Sequence, residues 1–441
     1  MPELALNGGT PVRRIPFPAW PEVDEQDEAA VLETVRSGRW WMYAYSPAEM
    51  AGEDNEGGSR VEAFERAFAG FQHARYALAT SSGSGALEIA CRAIGLKPGD
   101  EVITTPYTFI ASSSCVLNAF AIPVFVDIDP GTYNIDPGLV EAAITERTRA
   151  LLPVHFGGNV ADMTRLCEIA RRHNLAVIED SAQAAGASLQ GNQWAGTLGD
   201  IGIFSLQQSK ILTCGEGGII TANDTELARL AWSLRHYGRT ETGLWYEHVR
   251  LGWHYRMTEM QGALALSQLR KAQSQNERRK KNALALFHAL KGLPGVEPCR
   301  QNPQTDQHAF YLVILRYDGR QWDNIPRDTV LAALQAEGIP CVSGYTFPLY
   351  ENPLFRNMDF NGPSSPYRAG RDGNIDFSRY RGACLVAERA CRDEAIWLTQ
   401  NLLLGTGEET LDIAKAFAKV YENRGELRGA AQCGSATQSG T

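Results

Sequence analysis

Lys210 sits in the run FSLQQSKILTCGEGG, among Gln, Ser, Thr, Cys and Gly rather than other charges. That setting suits a partly desolvated amine, the kind of lysine that forms a Schiff base with a carbonyl. Upstream, the apolar run of VIEDSAQAAGA delivers Asp180 at a strand end, with Gln183 on the loop that follows. Ligands of open α/β sheets collect at such ends. A lone Asp there also serves as a cap or turn residue, and GEGG by itself reads as a tight hairpin turn. SSGSGAL sets Gly83, Ser84 and Gly85 between a strand and a helix. Unpaired amides at such a point bind phosphate, although a plain strand-to-helix turn has the same composition. Phe109, in TTPYTFIAS after another strand end, is either core packing or a flat platform for an aromatic ring. Each feature has an ordinary structural reading. Together they are an amine, a carboxylate, an anion cradle and a stacking face, the parts that hold pyridoxal phosphate.

These parts need one sheet edge to share. From about Arg60 to Thr221 helix-like and strand-like segments alternate, as in a mainly parallel sheet with crossover helices. The pattern predicts helices over 61–71, 86–94, 110–120 and 162–173, and strands over 77–80, 101–105, 124–126, 150–154, 176–179, 201–205 and 218–221. Thr258 with Gln261 forms a capping box that opens a long helix to about Leu290. Beyond Gly292 the pattern predicts a strand over 310–316, a helix over 327–337 and a last helix over 408–422, a smaller α+β unit. The expected division is an N-terminal arm (1–35), a large domain (36–275), a small C-terminal domain (276–425) and a disordered tail (426–441). The segment from Ala44 to Gly58 is either a loop over the site or a surface insertion.

Composition bounds the function classes. With 42 basic against 51 acidic residues the net charge is −9, which argues against a broad nucleic-acid surface. Arg278, Arg279, Lys280 and Lys281 read as a solvated helix face. Nine cysteines, odd in number and without CxxC spacing, suggest neither a disulfide framework nor a metal site and fit a reducing cytoplasm. No signal peptide or membrane span is evident in the sequence.

The ordered set LNGGTPVR, SSGSGALEIA, GDEVITTPYTF, EDSAQAAGA, FSLQQSKILTCGEGG, LGWHYRMTEMQGALALSQL, AERACRDEAIWL and LLLG resembles the DegT/StrS family of pyridoxal-phosphate sugar aminotransferases over nearly the whole chain. The resemblance implies the type I, aspartate aminotransferase-like fold of PLP-dependent transferases. It implies that Lys210 carries the cofactor and moves the proton, that Asp180 pairs with the pyridine nitrogen, and that Gln183 contacts the ring hydroxyl. Phe109 would stack on the ring, and Ser205 with the turn of Gly83, Ser84 and Gly85 would hold the phosphate. Where the family reads G-x-N-Y-R-M, this chain has His254 in the Asn position, between Trp253 and Tyr255. His254 would then reach the phosphate of the neighbouring subunit in a homodimer with shared sites, or act as a structural imidazole.

Within the family, FSLQQSK, GYTFPLYENPLF and AERACRDEAIWL are most similar to the branch that aminates cyclitol ketones such as scyllo-inosose. The implied donor is L-glutamine or L-glutamate and the acceptor a keto-cyclitol or keto-sugar. Tyr345 and Tyr350 either face that substrate or pack the small domain. A nucleotide-keto-sugar aminotransferase, a 3-amino-5-hydroxybenzoate synthase-like enzyme and a non-catalytic PLP-binding regulator stay open as alternatives. A sugar dehydratase on the same fold would carry histidine in place of Lys210.

Overall fold

The computed structural model describes residues 3–42, 58–244 and 246–428. The segment Ala44 to Gly58 lies outside these residues except for Gly58, as do Cys433 and residues 429–441. Seven strands build the principal sheet: β1 (Tyr76–Thr80), β2 (Glu101–Thr104), β3 (Ile122–Phe125), β4 (Thr148–Leu151), β5 (Ala176–Asp180), β6 (Ile201–Ser205) and β7 (Gly218–Ala222). Their order is β1-β7-β6-β5-β4-β2-β3. β2 is parallel to β3 and β4, β4 to β5 and β5 to β6. β7 runs antiparallel to both β6 and β1. Two antiparallel steps leave β1 parallel to β6, so the carboxyl ends of β1, β2, β5 and β6 share one edge.

β2 and β3 are buried at every position, as strands covered on both faces must be. Pro123 lies inside β3, although the sequence pattern predicts a strand only from 124. β3 is an edge strand, where the missing N–H costs no ladder bond. The helices are α1 (Glu25–Ser37), α2 (Arg60–Phe71), α3 (Gly83–Ala93), α4 (Ala111–Asn118), α5 (Met163–His173), α6 (Thr225–Arg235), α7 (Glu259–Leu290), α8 (Arg327–Ala336) and α9 (Gly407–Glu422). α1 and α6 are absent from the sequence expectation, yet both open on an Asp cap. Asp24 accepts from the Gln26 and Asp27 N–H groups, and Asp224 from that of Leu227.

A second, antiparallel sheet has the order β8 (Val296–Pro298), β9 (Leu312–Tyr317), β10 (Ala395–Thr399). α7 serves both sheets. Its Ala265, Leu269 and Ala272 join the core of the principal sheet, and its Ala283, Leu286 and Leu290 join that of the second. Both halves of the Thr258–Gln261 capping box are present. Because α7 is packed on more than one side, Arg279 is not on a solvated face. It is fully buried, donates to Gln400 and Asn276 and lies 5.1 Å from the Trp20 ring, and burial lowers its pKa to about 9.

The ends of the chain meet at the second sheet, whose core includes Leu4 and Phe17. Residues 426–428, expected in the tail, belong to this packed structure. Leu427 is fully buried, and the Glu426 carboxylate accepts from the Leu4 N–H and the Asn7 amide.

α2 and α7 cross at Gly262. A Cβ there would lie 2.7 Å from the Val61 nitrogen and 2.8 Å from its Cα. Beside the crossing, buried Glu259 accepts from the Ser59 hydroxyl and the Val61 N–H, so α7 caps α2. Gly262→Ala is expected to cost about 1 to 3 kcal/mol by forcing the helices apart. Calorimetry should show a lower Tm, and an unchanged midpoint would show that the crossing yields freely.

Candidate active site

Along β5 successive side chains alternate, so Glu179 and Asp180 leave the sheet on opposite faces. Glu179 is fully buried and receives three backbone N–H groups, from Gly196, Leu198 and Gly199, at 2.6 to 2.9 Å. It also takes a bond from His155 Nε2 at 2.9 Å. His155 Nδ1 accepts from the Ala161 N–H, which assigns the ring proton to Nε2. This network anchors the strand end. Asp180 opens into a cavity of about 500 Å³. Its Oδ2 accepts from the Ser112 hydroxyl at 2.7 Å and its Oδ1 from the Ala182 N–H at 3.2 Å. Burial pushes the Asp180 pKa up, against the pull of these two donors and of the nearby Lys210.

β6 ends one strand away, and the loop from Leu206 to Gly217 leads into β7. The loop is closed by Leu206 N–H to Gly217 O, Gln208 N–H to Gly215 O and Cys214 N–H to Leu206 O. GEGG is therefore not the tip of this hairpin but its returning arm, with Gly218 opening β7, and the loop carries Lys210 into the cavity. Lys210 Nζ lies 4.4 Å from the Tyr311 ring centre and has no hydrogen-bond or ion-pair partner among the described residues. Ser205 Oγ accepts from the Gln207 N–H, which leaves its own proton to donate.

α3 starts three residues earlier than the pattern predicts, so Gly83 and Ser84 form its first turn. Ser82 is the cap, and its hydroxyl accepts from the Gly85 N–H at 3.0 Å. Gly85 is therefore spent on the cap and does not line the cavity, contrary to expectation. The N–H groups of Gly83 and Ser84 have no acceptor among the described residues and stand beside Ser205. A Cβ on Gly83 would come within 2.8 Å of Ser205 Cβ, so only glycine leaves this cradle open.

Gly83, Ser84, Phe109, Asp180, Gln183, Ser205, Lys210 and Tyr345 all line this one cavity. Phe109 is 60% exposed, so it is not core packing. Gln183 Oε1 accepts from the Gly157 N–H at 2.7 Å, which leaves its NH2 as the donor, facing the Tyr345 hydroxyl. Besides Gly85, two expected residues are elsewhere. Tyr350 is buried under the sheet edge against Phe125 and Tyr380, with its hydroxyl donated to Glu388, because the aromatic cluster there needs filling. His254 is exposed and away from its own chain's cavity, bridged to His236, and partial burial and Arg256 lower its pKa.

The sequence reading missed Ser112, His155, Glu179, Tyr311 and Trp397. Trp397 lies on β10 and donates to the Tyr107 hydroxyl at 3.2 Å, and Tyr311 immediately precedes β9, so both enter from the second sheet. Only Glu179 carried a signal, an acidic residue inside an apolar strand.

With this geometry in view, the model of the DegT/DnrJ/EryC1/StrS aminotransferase family matches residues 48–367. The chain belongs to that family. A relative in Streptoalloteichus tenebrarius, provisionally named an L-glutamine:3-amino-2,3-dideoxy-scyllo-inosose aminotransferase, is 39% identical over 97% of this chain and 99% of its own. The L-glutamine:scyllo-inosose aminotransferase of Streptomyces griseus is 35% identical over 96% and 99%. Among solved structures, 3-amino-5-hydroxybenzoic acid synthase matches with a TM-score of 0.79 at 30% identity, over 92% of this chain and 99% of that one. DesI, solved with its TDP-sugar product, matches with 0.77 at 26%, over 95% or more of both.

The chain is a pyridoxal-phosphate-dependent aminotransferase with the type I fold. The residues present fit that cofactor. A buried carboxylate, two helix N–H groups and a hydroxyl beside a space that a single Cβ would fill, and an amine with no ion-pair partner among the described residues all line one cavity.

Asp180→Asn keeps the shape and removes the buried charge. Since burial raises the Asp180 pKa, the folded chain holds that proton more tightly than the unfolded one, and this carboxyl costs stability as pH rises through its range. Without cofactor the Asn variant is expected to melt above the wild type near pH 8, with the gap closing toward about pH 4. Its affinity for pyridoxal phosphate should fall at least ~10-fold. Melting curves across pH and a cofactor titration check both; a variant that melts lower at every pH would show that Asp180 is structurally satisfied as an ion.

Proposed function

We propose that this aminotransferase moves the amino group of L-glutamine or L-glutamate to the carbonyl of a keto-cyclitol of the scyllo-inosose kind, in two half-reactions at one site. The observation that carries the reading is the unpaired Lys210 amine facing the same cavity as the buried Asp180 carboxylate. Support for the substrates comes from the curated relatives, whose names specify L-glutamine and inosose-type ketones at 35 to 39% identity.

Pyridoxal phosphate supplies a conjugated cationic ring that accepts the electrons released at the substrate's amino-bearing carbon. The protein's part is assigned residue by residue. Lys210 holds the cofactor, then, once displaced, takes the proton from the donor's amino-bearing carbon and returns one in the opposite half-reaction. Asp180 stays ionised beside the ring nitrogen and keeps it protonated. Gly83, Ser84 and Ser205 would hold the phosphate, Phe109 would lie against the ring and the Gln183 NH2 would serve its hydroxyl. Tyr345 and Trp397, packed edge to face, also line the cavity, and such aromatic faces suit the C–H face of a cyclitol.

The working form is a homodimer in which His254 reaches the partner's cofactor phosphate. Leu244, Tyr246, Leu251 and Trp253, on the same segment, are 80%, 78%, 72% and 51% exposed, an apolar surface of the kind a second subunit covers. A cytoplasmic setting is supported by the cysteines, none of which is paired among the described residues.

The purified protein with added cofactor is expected to lose its visible imine absorbance on L-glutamine and regain it on scyllo-inosose. Lys210→Ala should show neither change and no turnover. A band that never shifts with glutamine would move the search to glutamate and nucleotide sugars, and steady-state activity in Lys210→Ala would refute its role. Light scattering should report a dimer that retains cofactor; an active monomer would contradict the shared site.

A further inference from the structure

Tyr311 belongs to the second sheet, one residue ahead of β9, yet it meets the loop of Lys210. Its ring centre lies 4.4 Å from Lys210 Nζ. Its hydroxyl lies 3.1 Å from Ser209 Oγ, on the residue next to Lys210. Ser209 has one hydroxyl proton, and it is donated to Gln207 Oε1 at 2.7 Å. The Tyr311 O–H must therefore be the donor to Ser209 Oγ. Gln207 Oε1 accepts a second bond from the Ser209 N–H at 2.9 Å, so the far end of this chain is fixed by the backbone. The ring is held in place by the very loop whose lysine it faces.

From this we infer that Tyr311 is a positioning residue for Lys210, holding the lysine nitrogen over the cavity while it carries a proton. The inference rests on Lys210 having the role assigned above. When the nitrogen takes the proton from the substrate's amino-bearing carbon, its lone pair forms the new N–H bond and the C–H electron pair is left to the cofactor's ring system. The nitrogen is then a cation that no carboxylate among the described residues reaches at ion-pair distance, although Asp180 and Glu216 line the same cavity. The negative face of the Tyr311 ring attracts that cation without taking its proton, which an acidic partner would do more readily. The hydroxyl anchor to Ser209 keeps the ring at the lysine while the rest of the side chain stays with the second sheet, so the contact also ties the two sheets across the cavity.

Three variants test this in the full-length protein with pyridoxal phosphate added. Tyr311→Leu removes ring and anchor, Tyr311→Phe removes the anchor alone, and Ser209→Ala removes the anchor from the exposed side of the loop. The readouts are the single-turnover rate with L-glutamine, the donor KM, the isotope effect with α-deuterated L-glutamine, and the rate at which cofactor-free protein captures added pyridoxal phosphate by absorbance. Tyr311→Leu is expected to slow single turnover and capture by about tenfold, with donor KM within about twofold and a larger isotope effect. The two anchor variants should slow both by about threefold.

Wild-type rates and an unchanged isotope effect in Tyr311→Leu would overturn the inference. So would a slower reaction that comes entirely from a raised KM, which would make Tyr311 a substrate contact. If the Leu variant does not fold, unchanged capture and isotope effect in both anchor variants would overturn it instead. Capture needs neither donor nor acceptor, so it still reads out if glutamine is the wrong donor. Lys210→Ala run alongside separates the two levels, because capture in that variant would overturn the Lys210 assignment itself.

Discussion

Asp180 is the constraint on which the rest of the structure turns. A carboxylate held away from water at a strand end is costly, and burial already pushes its pKa up. The chain meets that cost with two hydrogen bonds, from Ser112 on α4 and from the Ala182 N–H. It also places one uncommitted amine in the same cavity. A cationic ring nitrogen arriving there would find its charge partner desolvated and in place, the condition under which an electrostatic contact is strongest.

That arrangement needs a stiff backbone beneath it. Glu179, on the other side of β5, supplies stiffness because its carboxylate gathers the N–H groups of Gly196, Leu198 and Gly199 together with His155. One dipeptide thus carries two buried carboxylates with opposite tasks. The first is satisfied by protein donors on every side, and the second is left open to a ligand. The reversed strand β7 contributes in another way. By restoring β1 to the direction of β6 it brings the start of α3 beside Ser205, so the amide cradle and the carboxylate face a common space.

Much of the fold was legible because parallel strands buried on both faces leave unbroken apolar runs, and helices leave caps. The misses have physical causes. The strand expected from 124 begins at Ile122 instead, because at a sheet edge Pro123 gives up no ladder bond. Arg279 looked like surface because four basic residues in a row are usually solvated, and α7 is packed between two cores. α1 buries only Asp27 and Thr34 and so carries no apolar stripe, whereas α6 does carry one, through Ala228, Ala231 and Leu234 behind its Asp224 cap, and was legible. Tyr350 read as a substrate contact and proved to be packing, because an aromatic residue near a site has the same sequence signature as one filling the core beneath it.

The sequence by itself determined the residues that are bound to their neighbours in the chain. Lys210 on its glycine-rich loop, Asp180 at the end of an apolar strand and the Gly83–Ser84 turn are local patterns, set by strand and turn geometry. Their order along the chain was enough to mark the family. Tertiary structure alone decided what reaches the site from far away. Tyr311 and Trp397 come from the second sheet and Ser112 from α4. Such contacts depend on how the two sheets dock across α7, and docking is a sum of many weak packing terms that no short stretch of sequence encodes.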